Sequence, residues 1–410
     1  MKLIFVNRYF FPDHSATSQI LSDLAFGLAG TDREIHVVTS RLVYDDANAQ
    51  LRSKEEVRGV TVHRVWTSHF GRKHLPGRSL DYLSFYPAAF WVVLRLLRQK
   101  DLVVAMTDPP LLAMPVSLAA KLRQAVLINW LQDIFPEVAS AVGWRSVRGP
   151  LGTVLRWIRD WTLRTAFANV VLGQRMAEVV RRRHIDDRQI VVIPNWADGK
   201  AIRPSRTEAN LLRAQWGLIG KFIAGYSGNL GRGHEFETML GAAELLRNES
   251  TIVFLIIGGG YGYDRMRVEV ERLGLGNVFF KPYQIREQLG SSLTLPDVHL
   301  ISLLPGLEGL IFPSKFYGAA AAGRPVAFIG PINGEIANEL ALSECGMAFQ
   351  PTDAAGLAGF LVELRDNPAL KNEMGERMRA TFDRRYDKVH GLDKWKKLIR
   401  AAETDRQVTE

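Results

Sequence analysis

A single cysteine, Cys345, stands among 410 residues, so an internal disulfide framework is impossible and a reducing compartment is expected. Long apolar runs are also missing. The longest, Phe85 to Leu97, contains Pro87 and Arg95 and is too short and too interrupted to span a bilayer. The first residues, Met1 to Asn7, read as a short strand with one lysine rather than a secretory leader, and a cytoplasmic location is expected. No G-x-x-x-x-G-K-S/T stretch occurs, which removes a P-loop. Gly258-Gly-Gly-Tyr-Gly262 lacks the glycine order and the downstream acid of a dinucleotide fingerprint, so it reads as a tight packing turn. The nine histidines show no metal-ligand spacing, and no nucleic-acid recognition signature is present. Neither a metal nor a resident cofactor is expected.

What is present is an ordinary folded composition, 47% hydrophobic and 23% charged, in a chain long enough for two cores. The formal net charge of +9 points to an anionic partner. Nucleic acid lacks a motif, which leaves a diphosphate substrate and an anionic membrane surface. Basic residues surround Phe85–Leu97: Arg72, Lys73, Arg78, Arg95, Arg98 and Lys100. Farther on, Leu151, Val154, Leu155, Ile158, Thr162 and Ala166 share one helical face. Arg148, Arg156, Arg159 and Arg164 lie on the other, with Trp157 at the boundary. Such a helix either lies in a headgroup interface or packs its apolar side on a domain and solvates its arginines.

Short buried runs alternate with helical periodicity twice over. In the first half the strand-like runs are Lys2–Asn7, Ile35–Thr39, Val60–Val65, Leu102–Met106, Val126–Trp130, Val170–Leu172 and Val191–Pro194. After a linker at Asn195–Pro204 the pattern restarts with Phe222–Tyr226, Thr251–Ile257, Val278–Phe280, Val298–Leu303 and Val326–Ile329. This alternation predicts an α/β fold of two Rossmann-like domains with parallel sheets facing a central cleft. The expected boundaries are 1–197, 205–383, and a terminal helix within 384–410 that crosses back to the first domain. Ligands of such sheets bind beyond the carboxyl ends of the strands.

Four strand-end segments carry chemistry. Glu308-Gly-Leu-Ile-Phe-Pro-Ser-Lys-Phe-Tyr-Gly318 follows an apolar run, Leu293–Leu304, that reads as a buried strand entered at Asp297. It brings a carboxylate, a lysine and a helix start together. Lys315 and the helix amides suit a diphosphate, and Glu308 suits sugar hydroxyls. Ser227-Gly-Asn-Leu-Gly-Arg-Gly233 is a glycine loop opening a helix, where Gly228 and Asn229 allow backbone approach and Arg232 adds charge. In the first half, Ser15 and Thr17 sit at a helix start, either facing a ligand or capping the helix. Asp133 and Glu137 emerge from another strand in Leu131-Gln-Asp-Ile-Phe-Pro-Glu137.

With these segments in this order, nearly the whole chain resembles the retaining GT-B glycosyltransferases of family four. The nearer likeness is to the WcaI/WbuB branch, which makes exopolysaccharides and O-antigens. Tyr9-Phe-Phe-Pro-Asp-His-Ser-Ala-Thr-Ser18, Gln132–Glu137, Ile193-Pro-Asn-Trp-Ala-Asp198, Tyr226–Arg232 and Pro313–Gly318 carry the likeness. The resemblance implies a nucleoside-diphosphate-sugar donor on the second domain. It also implies a saccharide acceptor, expected to be polyprenyl-diphosphate-linked, on the first, at the inner face of the cytoplasmic membrane.

Carried over by position, Arg232 and Lys315 hold the diphosphate, and Glu308, Gly309 and Leu310 face the donor sugar, with Ser314 beside them. Lys281–Arg286, with Tyr283, lies against the base. Asp133 is the expected group for orienting or deprotonating the acceptor hydroxyl. The family's second glutamate is Gly318 here, so Tyr317 or backbone groups must take the ribose. A non-catalytic nucleotide-sugar sensor and a nicotinamide-dependent oxidoreductase are the alternative readings.

Overall fold

A computed structural model describes residues 1–30, 33–43, 51–70, 75–144, 147–205, 211–285 and 288–404. Arg72, Lys73 and Arg286 lie outside them. The chain divides into two compact units. The first holds Met1–Pro194, Leu310–Phe312 and Gly391–Glu410, and the second holds Asn195–Gly309 and Pro313–His390.

In the first unit, β1 (Lys2–Val6) leads to α1 (Ala16–Leu28) and β2 (Glu34–Ser40). A hairpin of β3 (Lys54–Val57) and β4 (Val60–Val65) follows, then α2 (Leu75–Leu96) and β5 (Leu102–Ala105). Next come α3 (Ala113–Arg123), β6 (Val126–Trp130), the short α4 (Glu137–Ala141), α5 (Pro150–Thr165), β7 (Ala168–Val171), α6 (Gln174–Arg181) and β8 (Ile190–Val192). The sheet order is β3-β4-β2-β1-β5-β6-β7-β8, parallel except for β3. Strands from Leu3 to Val6 and from Leu102 to Ala105 are fully covered, as a parallel sheet flanked by helices requires. The chain steps from β1 to β2 in one direction and through β5, β6, β7 and β8 in the other. Because β-crossover-β connections are right-handed, α2, α3, α5 and α6 share one face of the sheet and α1 takes the opposite one.

The second unit opens with α7 (Leu211–Gln215) and β9 (Phe222–Asn229). It continues with α8 (Glu237–Leu245), β10 (Ile252–Gly259), α9 (Tyr261–Leu273), β11 (Val278–Lys281), α10 (Leu289–Thr294) and β12 (Val298–Ser302). After these come α11 (Lys315–Ala321), β13 (Val326–Ile329), α12 (Glu335–Ser343), β14 (Gly346–Phe349), α13 (Ala354–Asp366) and α14 (Pro368–Arg385). Its six strands are all parallel, in the order β11-β10-β9-β12-β13-β14. The winding reverses between β9 and β12. That reversal separates the loops on either side and leaves room for a ligand beyond the strand ends. The last helix, α15 (Lys388–Thr404), carries Trp395, which packs edge-on against Trp130 at 4.8 Å within the first unit.

Three sequence expectations change. The run Leu293–Leu304 is not one strand, because residues 289–294 are helical and only Val298–Ser302 pairs in the sheet. Asp297 does mark the strand entry. It is buried, accepts the Ile223 N–H at 2.9 Å, and pairs with Arg213 at 2.6 Å and Lys371 at 2.8 Å. Two short strands, β3 and β14, went unpredicted. Finally, α5 follows the packed-helix reading only towards its C-terminal end, where Thr162 and the adjoining Ala166 are buried. Arg159 and Asp160 face inward, whereas Leu151, Val154 and Trp157 are exposed.

Candidate active site

Lys315 is the first residue of α11, and it lies beside the end of β9. A Cβ on Gly228 would come within 3.0 Å of the lysine Cε, and Gly228 itself has a φ of 125°. Only glycine takes that backbone conformation without strain, so this position lets the lysine chain lie flat against the strand end. The ammonium stands 5.1 Å from the centre of the fully buried Tyr226 ring and 3.1 Å from His234 Nε2. His234 lies 2.7 Å from the carbonyl oxygen of Ser302, the last residue of β12, through its Nδ1. A carbonyl can only accept, so Nδ1 carries the proton and donates to Ser302. Nε2 is then the acceptor for Lys315.

Ionisation follows this geometry. Burial, and then the Lys315 charge, push the His234 imidazole down to about 3, so it stays neutral. Burial alone pushes the lysine down to about 7. The ammonium is thus a poorly solvated cation at the switch point of the sheet, held by a neutral acceptor and an aromatic face. Such a group gains most from an arriving anion.

The other expected donor-side residues divide. Leu304 N–H donates to Gly233 O at 3.0 Å, tying the glycine loop to the end of β12. Asn229 is the last residue of β9, and its carbonyl accepts from the Tyr226 hydroxyl at 3.1 Å. Arg232 is exposed and stacks on Tyr261 with its guanidinium 4.0 Å from the ring centre, so another aromatic holds it than the one under Lys315. Glu308 accepts the Glu335 N–H at 2.8 Å through one carboxylate oxygen and thereby caps α12. Gly309, at a φ of 73°, makes the turn that follows. Tyr283 is exposed and approaches Gly259, the last residue of β10.

Two expectations fare differently. Tyr317 is a core residue, 2% exposed, packed edge-on with Phe316 and Tyr386, and engaged with the backbone of Asn195. Its ring cannot present itself to a ribose without unpacking. The helix amides are also less free than expected: Phe316 N–H turns back to Pro313 O and Tyr317 N–H to Ser314 O. Ser314 is exposed and makes no capping bond. Charge at this point therefore comes chiefly from the lysine.

In the first unit, Asp133 follows β6 and lines a small, mainly apolar pocket with Met106, Thr107, Leu111 and Phe135. The segment is fixed by the Ile134 N–H, which donates to Leu310 O at 2.9 Å, and by a bridge from Asp133 to Ile311. Leu310 is thus packed on this unit, in the cluster of Leu131 and Ile134. Glu137 has another task. Both its oxygens accept from Arg159, at 2.9 and 3.0 Å, and Arg159 also donates to Asp160 at 2.6 Å. Burial pushes the Asp160 carboxyl up, but the bonds from Arg183 and the charge of Arg159 outweigh it and hold the group below the ordinary range. Ser15 occupies the N-cap of α1 by its backbone, yet its hydroxyl donates to Asp13 Oδ1 at 2.5 Å instead of capping. Thr17 lies half-buried in the first turn of α1.

Sequence reasoning missed His234 and Arg8. Arg8, two residues beyond β1, is buried against Asp81 at 3.6 Å and lies over the Tyr82 ring at 4.9 Å. A basic residue two positions beyond a mostly apolar strand was its available signal. His234 had none, because its partner Ser302 is 68 residues away.

Two parallel-dominated sheets, each wound both ways from a switch point, give the chain a GT-B fold. Residues 16–196 match the glycosyl transferase 4-like domain family. The named glycosyltransferase WbjE of Pseudomonas aeruginosa is 28% identical over 309 residues, covering 74% of this chain and 75% of that one. WcaI of Escherichia coli K12, named for colanic acid biosynthesis, is 24% identical over 335 residues, with 79% and 82% covered. Among solved structures, Anabaena HepE in complex with UDP-glucose superposes with a TM-score of 0.73 at 16% identity, covering 98% of this chain and 100% of that one. Residues 16–196 thus carry a glycosyl transferase 4-like domain, and the chain as a whole is similar to GT-B glycosyltransferases of the WcaI type.

Proposed function

We propose that the protein moves a sugar from a nucleoside-diphosphate donor to a polyprenyl-diphosphate-linked saccharide, with retention at the anomeric carbon, in bacterial surface or exopolysaccharide biosynthesis. The Lys315–His234–Ser302 chain at the switch point carries this reading. The naming of UDP-glucose with HepE and of colanic acid with WcaI supports it. No helix among the described residues is long and apolar enough to cross a membrane. The location proposed with this acceptor is peripheral, on the inner face of the cytoplasmic membrane.

Glycosidic cleavage leaves negative charge on the departing diphosphate. A half-buried lysine already aimed by His234 stabilises that charge with little reorganisation of solvent, which is where electrostatic catalysis gains most. Arg232 would leave Tyr261 to add a second cation. Glu308, with one oxygen fixed on α12, would present the other to a donor-sugar hydroxyl. Front-face attack within the resulting ion pair needs no protein nucleophile. Asp133 would orient the acceptor hydroxyl and take its proton. No resident cofactor enters this scheme, the donor being a co-substrate.

The experiment is a panel of UDP-, GDP-, dTDP- and CMP-sugars scored by thermal shift and slow donor hydrolysis. A shift and hydrolysis with one nucleotide family is expected. No shift with any of them would remove the donor reading.

A further inference from the structure

Three neighbouring helices of the first unit turn apolar side chains away from the sheet. On α2 the exposed stripe is Leu83, Pro87 and Trp91 at four-residue spacing, and Trp91 is 56% exposed. On α3 it is Met114, Leu118 and Leu122 at the same spacing, and on α5 it is Leu151, Val154 and Trp157. α3 packs against both α2 and α5, and right-handed winding puts all three on one face of the sheet. Their inward sides are occupied: Phe85, Ala89, Val93, Val116 and Ala119 belong to the core, and Arg159 and Asp160 are buried. Among the described residues the outward stripes are therefore unpartnered, and together they exceed the scattered apolar exposure normal for a protein surface.

Charge identifies the occupant. The exposed basic residues Arg95, Lys121, Arg123 and Arg164 lie at the helix ends around the stripes, with the half-exposed Arg156 among them. None of these five forms an ion pair among the described residues. The only two carboxylates on the three helices, Asp81 and Asp160, are both buried. A second copy docked by a twofold axis would set this basic face against itself. An anionic bilayer offers the complement, with phosphates for the arginines and lysines and an acyl boundary for leucines flanked by tryptophan.

We infer that the outward face of α2, α3 and α5 docks on an anionic membrane surface, with the helices lying in the interfacial plane. This gives the peripheral location proposed above a specific surface.

The test is flotation of the full chain with phosphatidylcholine vesicles, with and without phosphatidylglycerol. It is compared with the triple variant Trp91→Ser, Leu118→Ser, Trp157→Ser and with the charge variant Arg95→Glu, Lys121→Glu. Expected are binding to the anionic vesicles only, loss of that binding in high salt, and at least about a tenfold fall in bound fraction for either variant. Donor-induced thermal shift, measured on the same preparations, confirms folding and reports on the glycosyltransferase reading separately. Absence of wild-type binding at low salt overturns the inference. Undiminished binding by the triple variant does so too, because another surface is then responsible. A wild-type dimer that the triple variant abolishes would assign the face to a second copy instead.

Discussion

Donor affinity should fall as pH rises through neutrality, and Lys315 alone should be responsible. In the free protein the lysine titrates at about 7, so it is half charged there. A donor diphosphate placing one charge about 4 Å away, at an effective dielectric of about 20, favours the ammonium by about 4 kcal/mol, or roughly three pH units. The bound lysine is then fully protonated across the working range. The donor is a diphosphodiester and does not itself titrate near neutrality. Binding must therefore take up protons, about half a proton at pH 7 and about nine-tenths at pH 8. The dissociation constant should accordingly rise about tenfold between pH 6 and pH 8, equivalent to about 1.4 kcal/mol.

Calorimetry in buffers of different ionisation enthalpy counts the protons directly. His234 titrates at about 3, so it contributes nothing in this window. Lys315→Met should bind weakly and without pH dependence. His234→Phe removes the acceptor and should shift the midpoint to lower pH. A flat dissociation constant with no proton uptake in the wild type would refute the arrangement.

The same lysine makes a stability prediction of defined sign. Its folded pKa lies below its unfolded value, so the unfolded chain binds more protons between about pH 7 and pH 10.5, and stability rises with pH across that window. Lys315→Met should therefore raise the ligand-free melting temperature more at pH 6 than at pH 10, read by parallel thermal scans. Asp133→Asn should lower turnover at least about a hundredfold while leaving donor affinity intact, and an unchanged turnover number would remove Asp133 from the mechanism. Glu137→Ala, which strips a partner from buried Arg159, should cost about 1–3 kcal/mol in denaturant titration. Gly228→Ala forces a side chain onto the lysine and should weaken donor binding at least tenfold, roughly 1.4 kcal/mol or more in a donor titration.

The alternation of apolar runs with helical periodicity made the two parallel sheets legible, because strands buried on both faces have few other sequences available. The strands that escaped are edges. Lys54-Glu-Glu-Val57 carries charges suited to an unpaired sheet margin and has no apolar face to read. Lys315 was legible because Pro-Ser-Lys announces a loop opening a helix. Its enclosure was not, since that depends on His234 reaching Ser302 across the junction of β9 and β12. Tyr317 looked accessible near Lys315 in sequence, but two residues along a helix turn a side chain by about 200°, from the ligand side into the core.

The exposed apolar residues of α5 show what periodicity leaves undecided. An amphipathic pattern states that two faces differ, not which of them meets the protein. Here one arginine goes inward because it finds compensation, while Arg148 and Arg164 stay exposed: Arg159 meets Glu137, 22 residues earlier, and its own neighbour Asp160, which is in turn held by Arg183. Burying Arg159 without those carboxylates would leave an uncompensated charge, and the helix would turn over. With them, the inward face is satisfied by ion pairs and leaves Trp157 and its apolar neighbours outside. The carboxylate that reads from sequence as an acceptor-side group, Glu137, thus acts structurally by keeping the apolar stripe of α5 outward. If that coupling holds, Glu137→Ala should weaken vesicle binding as well as stability, while a surface change such as Leu118→Ser should affect vesicle binding alone.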